Sequence, residues 1–251
     1  MRLGRRIPTS AVTRQCAAPK LPGLIHGASP SISWLTVFLK AYAIVADRRP
    51  EMRRTWMPFP RPHLYEHPYG IGRVAIHREH RGVRWPLFAG ISRPASRSLR
   101  ELQNEIDWLQ TAPLRDIPAF RSQYAFSAYP GVVRRMSLWA SLNLSGERRC
   151  RRYGTFAMTT LAQTGAVRTH PATLGPVTLT YGPVSDVGEV TLSLVVDCRI
   201  HDDTAAGRCL QEIEQTLNGE IAEELVAIPA SHDRYRALLM NADAERRRRA
   251  A

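Results

Sequence analysis

The residues best equipped for chemistry fall in two places. His63, His67, His77 and His80 lie within eighteen positions of one another, and Cys198, His201, Asp202 and Asp203 lie within six. Four imidazoles suggest a metal, but theirs are spread over a proline-rich loop and a strand. That setting is not a helix, on which such a pair would share one face, so no specific zinc site is supported and no metal is expected. In the second cluster either Asp202 or Asp203 suits the N-cap of a helix starting near Thr204. The four cysteines, Cys16, Cys150, Cys198 and Cys209, form no C-x-x-C pair. With no secretory signal in view they read as ordinary thiols of a reducing, cytoplasmic compartment.

Charge bounds the partners. Against 22 acidic residues stand 35 basic ones, all arginine except Lys20 and Lys40, for a net charge of +13. Such a surplus attracts nucleic acid, anionic membrane or phosphorylated ligands. The arginines are dispersed apart from Arg246–Arg249, which reads as a solvated tail, and no nucleic-acid motif is present. The best apolar stretch, Ile32 to Ala46, is too short to span a bilayer and contains Lys40, so neither nucleic acid nor membrane is the expected partner. Five basic residues precede Lys40 with no acid before Asp47, a pattern shared with organellar transit peptides but here only weakly amphipathic.

The elements that must position these residues follow from periodicity. Ser31-Ile32-Ser33 precedes Trp34, Leu35, Phe38, Leu39, Tyr42 and Val45 at helical spacing. Four prolines predict an irregular loop over Met57 to Pro68. Strands are expected at Ile71 to His77 and Val83 to Ile91 about the turn Arg81-Gly82, the second an edge or bulged strand because of Pro86. Ser98 and Glu101 have capping-box spacing ahead of Leu99, Leu102, Ile106 and Leu109. Ala112 to Arg149 is ambiguous, with an amphipathic helical piece near Val132 to Leu142. Further strands are expected at Gly154 to Leu161, Val177 to Tyr181 and Val187 to Val196, then a helix from Thr204 to Leu217. A mixed sheet with covering helices is an α/β layer architecture. Residues 1–30 read as a basic N-terminal segment, 31–218 as the core, and 219–251 as a peripheral helical extension with an Arg-rich tail.

Two segments then carry a resemblance. Gly154-Thr155-Phe156-Ala157-Met158-Thr159-Thr160-Leu161 resembles the G-T-F-T-[IL]-[ST]-N-L-G strand of the catalytic core of 2-oxo-acid dehydrogenase acyltransferases. Leu192-Ser193-Leu194-Val195-Val196-Asp197-Cys198-Arg199-Ile200-His201-Asp202-Asp203 is similar to that family's L-S-x-x-x-D-H-R-x-x-D-G segment. The likeness covers about residues 30 to 218, and the family shares its fold with chloramphenicol acetyltransferase. It implies an α/β two-layer sandwich, a homotrimer with active sites between subunits, and transfer of an acyl group from a thioester such as acyl-coenzyme A to a small-molecule acceptor, without metal.

The resemblance also assigns roles. It makes Thr159 the hydroxyl that meets the oxyanion, and Asp202 the partner in an ion pair that holds the active-site loop. Cys198 stands where the family has its histidine base, and Asp203 stands where it has glycine. A thiol cannot copy an imidazole that accepts and returns a proton near neutral pH. Four readings stay open. Cys198 is a small buried filler in a degenerate site; or it is an acyl-accepting thiolate; or His201 supplies the imidazole, against the ordinary expectation of a satisfied surface histidine; or a base arrives from His63, His67, His77 or His80 across a subunit boundary. With no lipoyl domain or linker in view, the core is expected to stand alone and to use free acyl-coenzyme A or an acyl carrier protein, whose phosphates the arginines would suit. The alternatives are a degenerate scaffold that kept the fold and a biosynthetic enzyme repurposed to another reaction.

Overall fold

The computed structural model describes residues 7–28, 31–80, 82–162, 165 and 175–228. Six strands form one sheet: β1 (Thr9–Ala17), β4 (Ile71–His80), β5 (Val83–Ser92), β6 (Phe156–Thr160), β7 (Val177–Val184) and β8 (Glu189–Asp197). Their order is β1-β8-β7-β6-β4-β5, with β6 parallel to both neighbours and the other pairs antiparallel. Pro86 lies on β5, an edge strand, where a missing N–H is tolerated.

Alternation along the strands gives the sheet two different faces. The register aligns Val12, Leu194, Leu179, Met158, Val74 and Ala89 in one row across all six strands. This apolar face packs under helices α2 (Trp34–Arg48), α3 (Leu99–Thr111) and α7 (Asp203–Thr216), whose Phe38, Tyr42, Leu102, Ile106, Leu210 and Ile213 belong to the same core. One residue along, the row on the opposite face is Thr13, Ser193, Thr180 and Thr159, all hydroxyls.

The helices start where their caps are. Ser33 accepts a hydrogen bond from the Thr36 N–H, and Ser98 and Glu101 form a reciprocal capping box. Between α3 and β6 the ambiguous stretch is three helices, α4 (Pro118–Ala128), α5 (Gly131–Asn143) and α6 (Gly146–Tyr153). The amphipathic piece is a helix, but its apolar side does not face this protomer's core: Val132 is 72% and Met136 67% exposed.

Three expectations are corrected. The proline-rich stretch holds a short hairpin of β2 (Arg54–Met57) and β3 (His63–Glu66), because the prolines fall in its loop and flanks and leave both strands their donors. The N-terminal segment supplies β1, with helix α1 (Leu21–Gly27) after it, whose Leu21 and Ile25 enter the core. The extension past residue 218 is not peripheral where described. Residues 217–221 form a π-helical turn leading into α8 (Ala222–Ala227), and Leu217, Ile221 and Leu225 are buried.

Glu224 on α8 also pairs with the buried Lys40 of α2 and accepts a 2.6 Å hydrogen bond from the Leu99 N–H. Residues 1–6, Arg81, the side chain of His80 and the arginine run 246–249 lie outside what the structure describes. Among the described residues no helix is long and apolar enough to cross a membrane.

Candidate active site

The Gly-Thr-Phe segment is first a positioning device. Gly154 has φ of +79°, and a Cβ there would lie 2.8 Å from the Phe156 carbonyl oxygen and 2.9 Å from that of Ile71, so only glycine fits. Thr155 then binds the start of β4. Its N–H donates to the Ile71 carbonyl at 2.9 Å, and its Oγ1 accepts from the Ile71 N–H at 2.9 Å. Phe156 is buried against Tyr42, ring centroids 4.3 Å apart. With β6 fixed at this end, Thr159 is set on the hydroxyl-bearing face. Thr160 spends its hydroxyl on the Tyr181 carbonyl at 2.9 Å, whereas the Thr159 hydroxyl makes no hydrogen bond among the described residues and is partly exposed.

The second segment is the turn from β8 into α7. Asp197, 1% exposed at the end of β8, accepts from the Arg199 N–H at 3.0 Å, from Nε at 2.9 Å and from Nη2 at 2.6 Å. The Asp197 carbonyl also accepts from Ile200 and His201, which closes the turn. The Arg199 guanidinium lies 5.7 Å from the centre of the Trp56 ring. Close behind is Arg149, a buried guanidinium donating to the Trp56 carbonyl at 2.7 Å and the Leu142 carbonyl at 3.3 Å. Burial pulls Arg149 below its usual pKa, Arg199 adds to that, and the Asp197 carboxylate opposes it.

The predicted site residues fare differently. Asp202 caps α7, accepting from the Ala205 N–H at 2.6 Å, and Asp203 is the first residue of the helix. The ion pair that holds this turn belongs to Asp197 and Arg199, not to Asp202, because the carboxylate that faces back into the protein is the one at the strand's end. Cys198 is exposed, its N–H donating to the Pro8 carbonyl at 3.0 Å, so the reading of a buried filler is overturned. The other three cysteines are buried, which pushes Cys16 up to about 11 and Cys150 and Cys209 up to about 12 and leaves them neutral thiols.

His201 is also the reverse of its ordinary expectation. It is 4% exposed and its Nε2 has no hydrogen-bond partner among the described residues. Burial lowers its pKa, with Arg54 adding to the effect and Glu51, Asp197 and Asp202 opposing it, so the imidazole is neutral at pH 7. The unfolded chain takes up a proton near pH 6.5 that the folded chain refuses. This contribution to stability is therefore complete above about pH 6.5 and is lost as the pH falls below it toward the folded value. His67, buried beside Tyr69, acts with the same sign. In urea titrations at pH 7.5 and 5.5, His201→Gln should lose less stability on acidification than the native protein. An equal loss in both would remove His201 from the account.

The remaining histidines do not converge. His63 is exposed and bonded to the Arg61 carbonyl, His67 packs between Tyr65 and Tyr69, and His77 is exposed on β4. Among the described residues no three His, Cys, Asp or Glu side chains gather as a metal would need.

No family model matches the chain, and no curated protein matches it significantly. Solved structures do. A probable dihydrolipoamide acetyltransferase from Listeria monocytogenes aligns with TM-score 0.61 at 17% identity, over 92% of this chain and 90% of that one. The dihydrolipoamide acetyltransferase of Azotobacter vinelandii aligns with TM-score 0.64 at 18% identity, over 89% and 86%. Chloramphenicol acetyltransferase aligns with TM-score 0.52 at 14% identity, over 86% and 92%. The chain has the acyltransferase-core fold. At these identities the likeness concerns the fold alone.

Within one protomer of this acyltransferase-core fold, Thr159 and Cys198 stand apart. Thr159 pairs with Thr180 and Thr180 with Ser193, five residues before Cys198. That places them roughly 17 Å apart along the strands and about 10 Å across them, too far to act on one carbonyl group. The cluster of Asp197, Arg199, Arg149 and Trp56, of which Asp197 and Arg149 are buried, was not legible as a cluster in the sequence. Asp197 and Arg199 both lay inside the quoted motif and were its available signals.

Proposed function

We propose that the chain transfers an acyl group from a thioester, acyl-coenzyme A or an acyl carrier protein, to a small-molecule acceptor, at sites between the subunits of a homotrimer. Thr159 of one subunit donates to the oxyanion, and the Cys198 turn of the next faces it. One observation carries this reading: the acyltransferase-core fold presents a Thr159 hydroxyl that is unpaired among the described residues and an exposed Cys198 thiol on two separate surfaces, each backed by a rigid element. A second subunit is the simplest way to unite groups that one protomer keeps apart. The Azotobacter protein has been probed for the catalytic roles of a serine, a histidine and an asparagine, with the last two four residues apart, as Cys198 and Asp202 are here.

With a thiol at the histidine's place, the reaction divides. The Cys198 thiolate attacks the thioester carbonyl, the C–S bond to the donor breaks, and the donor thiol leaves with the proton that Cys198 gave up. The acceptor then attacks the new thioester on Cys198, and the returning proton restores the thiol. Both tetrahedral intermediates place negative charge on the oxygen that the Thr159 hydroxyl meets.

The test is incubation with a panel of acyl-coenzyme A donors, followed by mass spectrometry of the intact protein and assay of released thiol. An acyl adduct on Cys198, absent from Cys198→Ser, is expected, with turnover in that variant lower by about 10² or more. A silent parent in which Cys198→His creates activity would establish the second reading, a scaffold that kept the fold and lost its base. That reading is favoured by one specific feature: Asp202 is spent on capping α7.

A further inference from the structure

On the sheet face that carries Thr159 there is a cleft of about 650 Å³ between β4–β5 and helices α4, α5 and α6. Three arginines line it, Arg73, Arg151 and Arg152, and no carboxylate does. Arg151 is neutralised by Glu147 at 2.7 Å. The other two have no acidic partner among the described residues. Arg73, on β4 opposite Ala157, donates to the Phe88 carbonyl at 3.2 Å, with its guanidinium 5.9 Å from the centre of the Phe88 ring. Arg152 stands 4.8 Å from the Phe126 ring and 5.9 Å from the Tyr153 ring. Burial lowers the pKa of Arg73, and Arg152 lowers it further while Tyr153 opposes.

Two permanent cations therefore face one cleft with no counter-charge, and aromatic faces fix where both point. Such a pair is unfavourable when empty, and an incoming dianion relieves it through charge-assisted hydrogen bonds that guanidinium groups make well. The cleft's walls add Phe88 and Tyr129, each with about half its surface exposed, as flat apolar faces beside the charges. Its volume falls in the range of small-ligand sites.

We propose that this cleft binds the diphosphate of a mononucleotide, with Arg73 and Arg152 as the phosphate ligands and the aromatic wall receiving the base. That this nucleotide is the phosphate end of a coenzyme A donor rests on the acyl-transfer reading above; the site itself does not.

Calorimetric titration of the intact protein with inorganic diphosphate, adenosine diphosphate, coenzyme A and adenosine tests it. Both diphosphates and coenzyme A should bind, adenosine should bind far more weakly, and affinity should fall as salt rises. Arg152→Gln should weaken diphosphate binding by about tenfold or more. Arg73→Lys, which keeps the charge at a partly buried position and spares the fold, should weaken it by loss of the guanidinium fork. Arg121→Gln, an exposed change on α4 outside the cleft, should leave it unchanged. No binding of either diphosphate at millimolar concentration, or equal binding by Arg152→Gln, overturns the site. Binding of adenosine diphosphate without coenzyme A overturns only the link to a thioester donor. Binding that persists in a protein with no acyl transfer keeps the site and removes the enzyme.

Discussion

Thr159→Ala is expected to lower kcat for acyl transfer by about 10² to 10³, the usual consequence of deleting one oxyanion donor. The melting temperature should hardly move. The hydroxyl is partly exposed and unbonded among the described residues, so no buried partner loses its hydrogen bond. Thr159→Ser, which keeps the donor and loses a methyl group, should recover most of the rate, whereas Thr159→Val, which keeps the shape and loses the donor, should not. Steady-state kinetics on the three variants separates a donor from a space-filler. A valine variant as active as the native protein would remove Thr159 from the chemistry.

Asp197→Ala acts on stability first, and its expected cost is about 2 to 4 kcal/mol. The buried carboxylate takes three hydrogen bonds from Arg199 and offsets the charge of Arg149 behind it. Breaking a buried pair typically costs about 3 to 5 kcal/mol. The lower figure allows for the Arg199 side chain, which is 30% exposed and can turn toward water. Arg149 cannot, so it keeps an uncompensated buried charge. The melting temperature should fall by about 5 to 15 °C, with Asp197→Asn in between because one oxygen still accepts. Trp56, beside the Arg199 guanidinium, is a natural fluorescence reporter of the same event. A variant that melts within about 0.5 kcal/mol of the parent would mean that the turn is held by its backbone bonds alone.

What was legible in the residues follows the physics of each signal. Helices α2, α3 and α7 announce themselves because a cap and an apolar stripe are local, and both survive into the fold. Strand β1 did not. It is an edge strand in which only Cys16 is buried, so it has no alternation to read. Helix α4 buries no residue and so leaves no stripe.

The site divides in the same way. Thr159 and the Cys198 turn were found through motif glycine, threonine and aspartate, residues whose backbone demands are strict. The exposure of Cys198 and the burial of His201 were not. Each depends on what lies across the turn: Pro8 from the N-terminal segment for the one, Glu51 and Arg54 from the stretch after α2 for the other. The partly buried Arg73 and the buried Arg149 looked like any of the surplus arginines, since how far a guanidinium is covered is decided by partners far away in sequence.

The sheet order has a last consequence, for synthesis on the ribosome. The hairpin of β4 and β5 can close as soon as it emerges, but β1, made first, has no partner until β8 is complete some 180 residues later, with Thr9 opposite Asp197. Lys40 waits longer still, for Glu224. The growing chain thus carries an unpaired strand and an unmatched cation until β8 and α8 have been made, a period in which a chaperone has something to hold.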